Sequence, residues 1–132
     1  MKIYATRHSP EAQQKTEVDV QATAEELASL YRALGSGRAQ LSASQDGDPD
    51  TYDCLLAGIE IERVPGHRLR VSVDWERQML RIVGGDSETQ SFAANVLDLA
   101  QETPVGSQHH FDYFDNHFYL DPESVSLGIQ FV

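Results

Sequence analysis

"GIEIERVPGHRLRVSVDWERQMLRIVGG", Gly58 to Gly85, is the stretch on which the fold of this 132-residue chain turns. Apolar and polar residues alternate through it with a period of two, as they do in strands that bury one face. Val64-Pro65-Gly66 breaks the alternation with turn-forming residues, and a second break follows Trp75. The pattern predicts three consecutive antiparallel strands, with Ile59, Ile61, Leu69, Val71, Val73, Trp75, Leu80 and Ile82 on the inner face. A hairpin around the three-residue loop sets Glu62 opposite Arg68 and Glu60 opposite Arg70, two ion pairs of roughly a few tenths of a kcal/mol each. The third strand then places Leu80 and Ile82 opposite Trp75 and Val73, and Arg81 opposite Asp74. Leu69, Val71, Val73, Trp75, Leu80 and Ile82 are expected to be deeply buried.

Upstream, "KIYAT" (Lys2 to Thr6) and "EVDVQA" (Glu17 to Ala22) read as short strands, the second with Val18 and Val20 on one face. Thr23 with Glu26 three residues on is a capping box opening a helix, and Leu27, Leu30, Tyr31 and Leu34 give that helix a core-facing stripe before Gly35. "RAQLSAS" is a further strand, followed by the turn-rich loop "QDGDPDTYD", Gln45 to Asp53. Downstream of Gly84-Gly85, Ser87 and Gln90 are spaced as a second capping box. Phe92, Ala93, Val96, Leu97, Leu99 and Ala100 form the apolar face of a second helix closed by Thr103-Pro104. The last quarter reads as a strand "HHFDY", a turn "FDNH", a second turn at Asp121-Pro122, and a final strand with Val125, Leu127, Ile129 and Phe131 inward. In "HHFDY", His109, Phe111 and Tyr113 face the core while His110 and Asp112 face solvent. The expectation is one α+β domain over residues 1–132, a mainly antiparallel sheet with two helices in the order β-β-α-β-β-β-β-α-β-β.

Bulk composition bounds the function. The chain carries 21 Asp and Glu against 10 Lys and Arg, a formal net charge of −11. Between Arg38 and Arg63 lie six acids and no Lys or Arg, and from Ile82 to Val132 eight acids and again no Lys or Arg. Such a surface repels phosphate backbones, which argues against nucleic acid, and attracts a basic protein. The sequence shows no apolar run of ~20 residues and "MKIYATRHSP" has no apolar leader core, so the expected setting is the cytoplasm, away from membranes. The single cysteine, Cys54, excludes an internal disulfide and a cysteine-cluster zinc site.

Three motifs suggest chemistry and none completes it. Asp46-x-Asp48-x-Asp50 begins like a calcium loop, but the glycine stands at the second place and Pro49 stiffens the point of convergence. "VGGDSETQ" resembles a glycine turn feeding a helix N-terminus, yet it lacks the phosphate-loop patterns, and Asp86 and Glu88 would repel an anion. "HHFDYFDNHFYLDPESV", His109 to Val125, offers His110, Asp112 and His117 as metal or proton-transfer groups. The strand register groups only His110 with Asp112, short of the three or four ligands a zinc site needs, and no nucleophile-base pattern accompanies them. No cofactor or metal is expected. The candidate partner-binding residues are Asp46, Asp48, Asp50 and Asp53 in the acidic loop, with His110, Asp112, Asp115 and His117 in the C-terminal stretch.

"HFDYFDNHFYLDPESVSLGIQF" resembles the C-terminal pattern of bacterial immunity-protein family 32: a polar-aromatic strand, a turn with Tyr119-Leu120, then Asp121-Pro122-x-Ser124 and a terminal apolar strand. The resemblance implies a non-enzymatic protein that binds and neutralises a cognate toxin, and the acidic composition suits a basic one. Two other classes stay open on the residues alone. One is a small metal-dependent or hydrolytic enzyme built on His110, Asp112 and His117; the other is a structural or oligomerisation domain, such as a homodimer.

Overall fold

A computed structural model of the chain describes residues 1–7 and 16–132. Residues 8–10, part of the N-terminal stretch read for an apolar leader, lie outside the described residues. The elements run β1 (Lys2–Thr6), β2 (Glu17–Ala22), α1 (Ala24–Gly35), β3 (Arg38–Ser42), β4 (Cys54–Leu55), β5 (Gly58–Arg63), β6 (Arg70–Asp74), β7 (Met79–Gly84), α2 (Asp86–Glu102), β8 (Gln108–Phe111) and β9 (Ser126–Phe131). The α+β order read from the sequence is borne out, with β4 as one added two-residue strand. The strands divide into two sheets, β4-β1-β2-β9-β8 and β3-β5-β7-β6. Five of the seven pairings are antiparallel; β2 with β9 and β5 with β7 are parallel.

The predicted β5–β6 hairpin does not form. β7 lies between the two strands, so Glu62 does not oppose Arg68 and Glu60 does not oppose Arg70. The physical reason lies in composition: "MLRIVG" is apolar enough to be buried on both sides, whereas β6 carries Arg70, Ser72 and Asp74 and suits an edge. Gly84 on β7 lets the strands close in, since a Cβ there would stand 2.8 Å from Leu69 Cδ1. The β6–β7 register is displaced by two residues from the expected one. Val73 faces Leu80, Val71 faces Ile82 and Ser72, in place of Asp74, faces Arg81. A four-residue turn, Trp75 to Gln78, replaces the tighter one, with Gln78 at φ 54° and the Arg77 N–H donating to Asp74 Oδ1 at 3.2 Å. Trp75 therefore leaves the ladder. It is half-buried, as is Val73, with the Arg7 guanidinium 5.5 Å from its ring centroid. Leu69, Val71, Leu80 and Ile82 are buried as expected.

Ion pairing on the outer face of the second sheet survives with other partners. Glu60 meets Arg77 and, at 3.3 Å, Arg81, its cross-strand neighbour on β7, while Glu62 meets Arg81 at 3.5 Å. The Arg77 hydrogen bond is the main reason the Glu60 carboxyl is held below the usual carboxylate range.

The Thr23/Glu26 capping box is present, and Leu27, Leu30 and Leu34 are buried while Tyr31 is exposed. The Ser87/Gln90 box is not: α2 starts two residues earlier, with Gly85 at the N-cap and no side-chain cap bond. Phe92, Ala93, Val96 and Leu99 of α2 join α1 and both inner sheet faces in one buried cluster. The two sheets are also tied through the segment before β9. Leu69 donates to Tyr119 O at 2.9 Å, Asp121 donates to Leu69 O at 2.8 Å, and Val125 donates to Val71 O at 2.9 Å. Ser124, almost fully buried, accepts from the Val71 N–H at 3.1 Å and donates to Leu69 O at 3.2 Å. The serine of the Asp-Pro-x-Ser motif is thus a staple between β6 and the entry to β9.

Candidate partner-binding face

The outer face of the five-stranded sheet follows from its register. Tyr4, Asp19, Gly128 and His110 form one row across β1, β2, β9 and β8, and Lys2, Gln21, Gln130 and Gln108 form the next. Asp19 sits near the middle. Its Oδ2 accepts from the Tyr52 hydroxyl and its Oδ1 from Gln108 Nε2 at 3.5 Å. Gly128 makes room for it, because a Cβ on that residue would collide with the Asp19 carboxylate. Burial is the largest influence on Asp19 and raises its pKa above the carboxylate norm; His110 opposes that shift and Glu17 adds to it.

The acidic loop reaches this face. Tyr52 packs on Tyr4 with centroids 5.5 Å apart, and Asp50 and Tyr52 join Asp19 in lining a recess of about 210 Å³. Asp50 has φ 59°, and its N–H donates to Asp48 Oδ1 at 2.9 Å. Asp53 Oδ2 accepts from the Arg7 N–H at 2.8 Å. Asp46 and Asp48 are exposed at the loop's tip. At the opposite edge, His110 is exposed on β8 and lines a smaller hollow with Glu17, Asp19 and Gly128, while Asp112 accepts from the Ser126 hydroxyl. The structure therefore brings Asp50 and, at the far margin, His110 and Asp112 to one sheet face whose five strands span about 19 Å. None of Asp46, Asp48, Asp50, Asp53, Asp112 or Asp115 forms a salt bridge among the described residues.

Asp115 and His117 lie around the β8 edge, in the turn closed by the His117 N–H donating to Phe114 O at 2.9 Å. The His117 ring is occupied by its own chain: Nδ1 accepts from the N–H of Tyr119 at 3.1 Å and of Leu120 at 3.0 Å. That geometry requires a neutral imidazole with its proton on Nε2. Burial, and then the Arg68 guanidinium, hold its pKa below the usual histidine range. Arg68 donates Nε to Leu120 O at 3.0 Å and Nη2 to His117 O. Asp112 and His117 are thus engaged with separate partners. Among the described residues no group of three or more His, Cys, Asp or Glu is arranged to hold a metal ion.

Two features escaped the sequence reading. Asp19 looks like any solvent-facing residue of an alternating strand until β9 is known to lie beside β2. The other is a pair of rings on the 112–119 loop: Phe114 and Phe118 are 63% and 85% exposed. The only signal for them was the density of aromatics in "FDYFDNHFY".

The arrangement is thus a polar sheet face with Asp19 near its middle, on a small α+β scaffold, flanked by a loop with two exposed aromatic rings. A model of the family described as Immunity protein 32 matches residues 80–132, the stretch from β7 through β9. The resemblance seen in the C-terminal motif is borne out by this match, which supports an immunity function. No curated protein and no solved structure matches the chain. No helix among the described residues is long and apolar enough to cross a membrane.

Proposed function

We propose that this chain is a cytoplasmic immunity protein that binds and neutralises a cognate basic toxin without turning over a substrate of its own. The observation that carries the reading is the Immunity protein 32 match over residues 80–132. Supporting it, Asp50 of the acidic loop lies at one side of an outer sheet face whose far margin holds His110 and Asp112, and Asp46, Asp48, Asp53 and Asp115 form no salt bridge among the described residues. Opposite charge on a partner accelerates encounter and excludes acidic competitors. Asp19 adds a half-buried carboxylate at the centre of that face.

The test is to replace Asp46, Asp48, Asp50, Asp112 and Asp115 by Asn and Ser. Folding is verified, and association with the polypeptide encoded by the adjacent gene is then measured at two salt concentrations. The wild-type rate should fall steeply with salt as the Debye length shrinks below ~8 Å, and the variant should associate slowly at both. An unchanged rate in the variant, indifferent to salt, would remove the acidic face from the interface. No complex with the wild-type protein would overturn the immunity reading itself.

A further inference from the structure

We infer that Phe114 and Phe118 are the energetic centre of the toxin-binding surface, entering an apolar pocket on the toxin that is rimmed by Lys and Arg. This rests on the immunity reading above and deepens it. The fold does not account for the two rings: they are the most exposed phenylalanines among the described residues and add nothing to the buried cluster. Yet the loop that carries them is held firmly. Four hydrogen bonds, two into His117 Nδ1 and two from the Arg68 guanidinium to the carbonyls of His117 and Leu120, fix the segment His117 to Leu120, which contains Phe118 and follows Phe114 by three residues. Phe114 also rests on the His117 ring at 4.6 Å, and His117 meets Tyr119 edge-on at 4.9 Å. Apolar rings displayed on a fixed support lose little entropy when covered, the condition under which an aromatic becomes a binding hot spot.

The surroundings set the chemistry of the occupant. Asp112 and Asp115 flank Phe114, both are exposed, and neither forms a salt bridge among the described residues. A hollow of about 570 Å³ lies between the loop and α2, floored by Ala94, Asn95 and Phe111, and can receive a side chain returned by the partner. A pocket that is apolar at its centre and cationic at its rim complements both features. The whole patch lies inside residues 80–132, the part of the chain that carries the family match.

Division of labour between rings and acids gives the test. The probe is a catalytically inactivated form of the polypeptide encoded by the adjacent gene, and association and dissociation rates are measured separately. Phe118→Ser should weaken binding by roughly tenfold and Phe114→Ser/Phe118→Ser by roughly a hundredfold, mainly through faster dissociation. Asp112→Asn/Asp115→Asn should instead slow association and flatten its salt dependence. Thermal melts should place Phe118→Ser at or above the wild type, since an exposed ring is removed, and the double variant slightly below it, since the Phe114 contact with His117 is lost. Phe118, the more exposed, serves as the variant least able to disturb the loop. A double ring variant whose affinity stays within about twofold of wild type overturns this inference while leaving the immunity reading intact. A wild-type protein that forms no complex overturns both.

Discussion

His117 accepts two backbone N–H groups through a single ring nitrogen, a task usually given to an Asp or Asn oxygen at a turn. His117→Ala leaves the Tyr119 and Leu120 donors without that acceptor and is expected to destabilise the fold by about 1–2 kcal/mol in urea denaturation. His117→Asn, which returns an acceptor oxygen, should recover part of the loss. The sign of the pH dependence follows from the lowered pKa. The unfolded chain takes up the proton first, so the contribution of His117 is whole above pH ~6.5 and is lost as pH falls toward the folded-state value. The stability gap between wild type and His117→Ala should therefore shrink between pH 7.5 and pH ~5. A gap that stays constant over that range would mean that the ring does not act through its neutral nitrogen.

Strand β7 is the element on which the second sheet depends, flanked by β5 and β6 and carrying Leu80 and Ile82 into the core. Leu80→Ala should cost about 2–5 kcal/mol. Trp75→Ala should cost less in spite of the larger side chain removed, because Trp75 is half-buried in the turn and outside the ladder. Equilibrium unfolding of the two variants decides this, and a costlier Trp75→Ala would return that residue to the core. The same residues show how far the sequence could be read. Alternation fixes which face a residue occupies, and Ile59, Ile61, Val71, Val73, Leu80 and Ile82 were identified by face, though not the buried Met79. It cannot distinguish pairings that differ by two residues, nor an adjacent hairpin from one with a third strand inserted, since all of these keep the same residues inward. Hence the capped helix α1, the turn at 114–117 and the final strand were legible, while the β5–β7 pairing and the partners of Glu60, Arg68 and Arg70 were not. The proposed binding face divides in the same way. Its uncompensated acids are a matter of counting, but Asp19 acquires its setting only from the parallel pairing of β2 with β9, and the display of Phe114 and Phe118 depends on where Arg68 reaches.

For the whole molecule, a net charge of −11 is spread over a surface on which Arg63, Arg70, Arg77 and Arg81 are already paired with acids. Self-repulsion of this kind opposes the compact state, and salt relieves it. Raising sodium chloride from 10 mM to roughly 300 mM is expected to lift the melting temperature by a few degrees even as it slows association with a basic partner. A falling melting temperature would show that the ion pairs around Glu60 and Arg70 outweigh the general repulsion. The position of β9 has a consequence of another kind, in time. It lies inside the five-stranded sheet, between β2 and β8, although it follows both of them, and every other described strand, in chain order. At about 5–20 residues per second, β2 waits some 5–20 s between its own emergence and that of its neighbour. Throughout that interval its open edge can pair with any other nascent strand. Glu17 and Asp19, which later lie on the outer face, are then the charges that discourage such mispairing, so the acidity of this face protects the chain before it has a partner to bind.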